Sequence, residues 1–172
     1  MGLDAENLVF AAAELMRISL KLNTKTRRCI LQDREDKKEY IFEFPEKSPY
    51  VYFYTILRPL GKEAENAAYL RALLELNMFG LQTDGGTISG DRANGNLVLH
   101  SNLPLDYMTP QLFVNTLTNF IVTAKKLRGK LENLQMQSWN TQQSPSSPKA
   151  NFSAAASMEK NQPANKMRVI RI

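Results

Sequence analysis

The chain has one cysteine, one histidine and one tryptophan among 172 residues, and each scarcity closes off a class of chemistry. A lone Cys29 cannot form an internal disulfide, which fits a reducing, cytoplasmic setting. A zinc site wants three or four ligands, and His100, Cys29 and scattered carboxylates supply no recognisable set. A nucleophilic Cys29–His100 pair is formally possible, but cysteine usually packs as a small hydrophobe. No catalytic residue, cofactor or metal is therefore expected. Runs of about 18 apolar residues are absent, so no segment is expected to cross a membrane. The first ten residues lack a basic stretch ahead of an apolar one, and Glu6 stands where N-myristoylation wants Ser or Thr. Neither a secretory signal nor that lipid anchor is expected.

Glycine is concentrated rather than plentiful: five of eight fall between Gly80 and Gly95, in "GLQTDGGTISGDRANG". A phosphate loop needs Gly followed by Lys and Ser or Thr at the start of a helix, whereas this stretch has no lysine and runs into the strand-like "NLVLHSNL". The dinucleotide spacing G-x-G-x-x-G is missing, and Asp84 and Asp91 are not placed as calcium ligands. What fits is turn chemistry, with Asn94-Gly95 as a tight hairpin turn between strands.

Excess charge of one sign is also absent from most of the chain. Residues 1–134 hold 17 Lys+Arg against 16 Asp+Glu, net +1, while residues 135–172 hold 5 against 1, net +4. The basic balance thus belongs to a segment rich in Gln, Asn, Ser, Pro and Ala and poor in aliphatics. Such a composition cannot offset the entropy of ordering, so 135–172 reads as a disordered tail in which only Trp139, Phe152 and "MRVIRI" could dock. A nucleic-acid-binding or adaptor module using this tail is the alternative reading of function, although the near-neutral domain makes nucleic acid a poor candidate.

What the first 134 residues do contain is alternating periodicity. Asp4 to Leu22 carries Leu8, Ala12 and Leu15 on one helical stripe, with Asp4 as N-cap. Three strand-like runs follow from Arg27, Lys38 and Tyr50, separated by polar turns too short for anything but antiparallel pairing. A second helix is expected over Lys62–Phe79, then strands around Thr87 and over Asn96–Leu103. Thr109-Pro110 starts a last helix, with Phe113, Leu117, Phe120, Ala124, Leu127 and Leu131 on one face. The order α-β-β-β-α-β-β-α predicts a two-layer α+β sandwich, with helices packed on a twisted antiparallel sheet. In "YVYFYTIL" both strand faces are apolar or aromatic, so Tyr50, Tyr52 and Tyr54 either lie under another part of the domain or receive a partner.

The second half has a more specific likeness. "LLELNMFGLQTDGGTISGDRANGNLVLHSNLPLDYMTPQLFVNTLTNFIVTAKKLRGKL", Leu73 to Leu131, resembles the C-terminal signature of class I type III secretion chaperones (Tir chaperone-like): a helix ending in Leu-Asn, a glycine-bearing strand, a turn, a strand ending in Leu-Pro-Leu, then a helix closing in Ala and a basic residue. The resemblance spans residues 1–134. It implies a small cytoplasmic homodimer without enzymatic activity that binds the N-terminal region of one or more secreted effectors and keeps them soluble and export-competent. An extended client could add main-chain hydrogen bonds at a sheet edge while its apolar side chains fill grooves. By position, client contact falls on Leu8, Ala12, Leu15 and Met16 of the first helix and on Tyr50, Tyr52 and Tyr54. The dimer contact falls on Leu70, Leu74, Leu76 and Val98. The basic tail is left for a separate contact, with the secretion ATPase among the candidates.

Overall fold

The computed structural model describes residues 4–143, in the order α1 (Ala5–Met16), β1 (Arg28–Gln32), β2 (Glu39–Glu43), β3 (Tyr50–Pro59), α2 (Ala67–Leu76), β4 (Thr87–Asp91), β5 (Asn96–Pro104) and α3 (Pro110–Gln143). The strands form one antiparallel sheet in the order β1-β2-β3-β5-β4. This is the expected α+β sandwich: α3 crosses one face of the sheet over β3, and α1 and α2 pack against α3.

The core between these layers is aromatic. Cys29, Tyr40, Phe42, Val51, Phe53, Thr55, Leu57, Leu97 and Leu99 point from the strands toward α3, whose stripe of Phe113, Leu117, Phe120, Ala124, Leu127 and Leu131 is buried throughout. The Phe113 ring sits 5.6 Å from Phe42 and 5.5 Å from Phe53, near the edge-on and tilted geometries that aromatic quadrupoles favour. Thr109 caps α3 as its sequence suggests, its Oγ1 accepting the Leu112 N–H at 3.1 Å.

Three boundaries differ from the expectation. The first helix ends at Met16 rather than Leu22, because Arg17 turns into the left-handed region (φ 54°) and closes the helix with its N–H on the Ala13 and Glu14 carbonyls. Beyond it Ile18, Leu20 and Leu22 turn inward at alternate positions, a period of two that no helix can bury on one face. The span 62–79 breaks at Asn66, whose side-chain oxygen caps the Ala68 and Tyr69 N–H groups, and again at Asn77. The last helix runs past the expected domain limit at Leu134 to Gln143, so 135–143, Trp139 included, is helical. Good helix formers such as Gln and Met extend it after its buried stripe has ended. Phe152 and "MRVIRI" lie outside the described residues.

The glycine-rich stretch is structural. A Cβ on Gly86 would stand 3.1 Å from the Thr83 carbonyl oxygen and 3.2 Å from that of His100, so the close approach of this loop to β5 requires glycine. Between β4 and β5 the turn is wider than the two-residue Asn94-Gly95 form expected. Residues 92–95 make the loop, and of that dipeptide only Gly95 has positive φ. Asp91 organises it by accepting from the Ala93 and Asn94 N–H groups, which leaves Asn94 no need of the left-handed conformation.

Candidate functional site

The sheet has a second face that no helix covers. On it, cross-strand register aligns Ile30 of β1, Ile41 of β2 and Tyr54 of β3 in one row, with Ile56 and Val98 paired alongside. Ile30 and Ile56 are about half exposed, and Ile41, Tyr54, Ile56 and Val98 floor a groove of about 430 Å³ edged by Glu39 and Asp91. Two tyrosines of this face, Tyr52 and Tyr54, are held by their hydroxyls. Tyr54 Oη donates to Glu43 Oε2 at 2.9 Å, and Arg28 Nε donates to the same oxygen at 2.9 Å. Burial, reinforced by the negative Glu43, pushes the Tyr54 hydroxyl up to about 12, so it stays a donor at neutral pH. Tyr52 Oη shares a 3.2 Å hydrogen bond with Ser48 Oγ. The rings are thus fixed in orientation before any partner arrives, which lowers the entropic cost of contact.

Two further apolar surfaces are exposed. Phe10 and Leu15 stand out from α1 beside Thr109 and Pro110, lining a groove of about 680 Å³. On the far side of the molecule α2 shows Leu70 and Leu74, and the turn after it shows Met78, Phe79 and Leu81. Phe79 is 89% exposed and its backbone is left-handed (φ 54°, ψ 15°), an uncommon state for a bulky side chain. The same turn is pinned to the sheet by Asn77, which exchanges two hydrogen bonds with the Ile88 backbone, at 2.9 and 2.7 Å.

The expected client residues divide among these surfaces. Leu8 and Ala12, expected as client contacts, are fully buried among the described residues of the protomer. The helical stripe that identified them faces α3, and the solvent side of α1 is formed instead by Phe10, Glu14 and Leu15. Leu15 is exposed, whereas Met16 is half buried against the core. Tyr50, Tyr52 and Tyr54 all lie on the uncovered face, Tyr50 the most exposed. Of the expected dimer residues, Leu70 and Leu74 share the exposed side of α2. Leu76 is half buried against the core, and Val98, on β5, belongs to the uncovered sheet face. Sequence reasoning missed Phe10, Ile30, Ile41, Ile56, Phe79 and Leu81. The isoleucines were findable as strand neighbours of buried residues once pairing register is known, while no sequence signal marks the turn that exposes Phe79.

Among the described residues no group of three His, Cys, Asp or Glu side chains converges to hold a metal, and no helix is long and apolar enough to cross a membrane. Cys29, on the covered face of β1, is fully buried, and burial raises its thiol to about 11, far from a thiolate nucleophile. Residues 12–128 match the Tir chaperone protein (CesT) family, so the chain belongs to that family. Its fold is that of the type III secretion chaperones. The ExsC–ExsE complex aligns with TM-score 0.61 and 18% identity over 76% of this chain and 97% of that one. The Yersinia pestis type III secretion chaperone SycH, in complex with a fragment of YscM2, aligns with TM-score 0.55 and 14% identity over 72% and 99%. The ExoU–SpcU complex of Pseudomonas aeruginosa aligns with TM-score 0.54 and 19% identity over 73% and 95%. No curated protein sequence matches the chain.

Proposed function

We propose that the chain is a cytoplasmic export chaperone that works as a homodimer and binds the N-terminal region of one or more secreted effectors, holding them soluble and competent for export. The observation that carries this reading is the apolar row Ile30–Ile41–Tyr54 on a sheet face that no element among the described residues covers. Its shape suits an extended chain, and Tyr52 beside it offers a rigid aromatic anchor. Leu15 and Phe10 on α1 supply a second patch for the same client. The strip from Leu70 through Leu74 to Phe79 supports a self-association surface, since helix faces this apolar rarely stay wet.

Co-expression with the candidate effectors of the native host tests the proposal. The chaperone should co-purify with an effector through that effector's N-terminal segment. Tyr52→Glu should abolish capture while the oligomeric mass stays unchanged, and an unaffected complex would remove the outer sheet face from the client site.

A further inference from the structure

The two ends of the β1–β2 hairpin differ in electrostatics. At the turn end the carboxylates are neutralised from α3: Lys125 Nζ meets Asp33 at 2.7 Å and Glu35 at 3.0 Å, and Arg128 reaches Asp36 at 3.4 Å. Ahead of β1 in the sequence, Arg17, Lys21, Lys25, Arg27 and Arg28 follow one another with no acidic residue before Asp33. Arg28 pairs with Glu43, and Arg27 Nε donates to the Phe44 carbonyl at 3.2 Å. Arg17, Lys21 and Lys25 are exposed and have no side-chain partner among the described residues.

This uncompensated charge flanks a sheet edge. β1 is the outermost strand, and residues 19–23 run beside it. That segment meets β1 through an isolated antiparallel bridge between Asn23 and Arg28, with Asn23 N–H donating to the Arg28 carbonyl at 2.8 Å. A groove of about 550 Å³ opens between the two, lined by Ser19, Lys21, Thr26, Arg28 and the half-exposed Ile30. Ile30 is also the first member of the apolar row that continues through Ile41 to Tyr54.

We propose that this groove receives an acidic, extended polypeptide segment, whose carboxylates meet Lys21 and Lys25 while its alternate apolar side chains enter over Ile30 toward the tyrosine face. The identification of that segment as part of an effector rests on the export-chaperone reading; the charge preference does not. A peptide fits better than a nucleic acid because the groove includes the half-exposed Ile30, which continues into the apolar row through Ile41 to Tyr54.

The test uses short fluorescent peptides of alternating glutamate and valine, the same peptides with glutamine or lysine replacing glutamate, and single-stranded DNA of equal charge. The full chain should prefer the glutamate peptide, with affinity falling as salt rises. Lys21→Glu with Lys25→Glu, both at exposed positions, should weaken that peptide by about tenfold with no change in thermal melting. An unweakened glutamate peptide, equal binding of the glutamine version, no peptide binding, or tighter binding of the DNA would each overturn the proposal. An effector captured equally by the wild-type chain and the double variant would refute the acidic dock and leave the chaperone reading standing. No effector captured by the wild-type chain, with the glutamate preference intact, would do the reverse.

Discussion

The two faces of β3 are equally apolar in sequence and opposite in fate. Val51, Phe53, Thr55 and Leu57 are buried beneath α3, whereas Tyr50, Tyr52, Tyr54 and Ile56 look out from the uncovered side. What separates them is the polar handle. The covered face carries compact side chains that need no hydrogen bond, apart from Thr55, whose Oγ1 donates to the Glu39 carbonyl at 2.6 Å and accepts from Arg128 at 2.9 Å. The outer face carries tyrosines, whose rings can be covered and whose hydroxyls can remain bonded to Ser48 and Glu43. One face is shaped for permanent burial, the other for burial that can be reversed.

The contrast can be broken most severely at Phe53. Phe53→Ala should remove about 3–5 kcal/mol of stability, enough to unfold much of the population, as urea denaturation would show. The Tyr52→Glu change one residue earlier should leave protomer stability nearly unaltered. Equal destabilisation by the two would mean that the outer face is covered in the folded chain.

Arg128 sharpens the same comparison from the helix side. Its guanidinium donates to Tyr40 Oη, Thr55 Oγ1 and the Ile56 carbonyl, each at 2.9 Å, joining α3 to β2 and β3 at the end of the covered face. Arg128→Met keeps the volume and removes those bonds, so a loss of about 2 kcal/mol is expected in the same denaturation experiment.

Leu70→Asp combined with Leu74→Asp should change stability little, because both side chains are exposed, while lowering the mass measured by light scattering from dimer to protomer. A variant that remains dimeric would move the self-association surface off α2.

The smallest effect is expected at Asp33. The Lys125 ammonium, then the Glu35 N–H, hold its carboxyl below the ordinary carboxylate range. A folded value below the unfolded one means that the stabilisation is complete above about pH 4 and fades as pH falls through the folded value. Asp33→Asn should therefore flatten the acid limb of a stability-versus-pH curve by slightly lowering its neutral plateau, with stability at the acid end unchanged.

The legible parts of the fold were those with strong local rules. Thr109-Pro110 sets the start of α3 because cap and ring geometry act within one turn, and the Phe113–Leu131 stripe sets its buried face because the period of 3.6 has one solution. Likewise, short polar breaks forced antiparallel neighbours. The site was less legible. Leu8 and Ala12 carry an apolar stripe whether it meets α3 or a client, so periodicity alone gives the same signal for core and contact residues.

By itself, then, the sequence determined the order of elements, the antiparallel sheet, the buried face of α3 and the signature that places the chain among the secretion chaperones, since each depends on residues near one another in the chain. Tertiary structure decided which apolar face of β3 is covered, which residues of α1 reach solvent, and that Ile30, Ile41 and Tyr54 form one row. A strand with period two presents two faces that are alike in pattern, and only the packing of a helix from elsewhere in the chain distinguishes them.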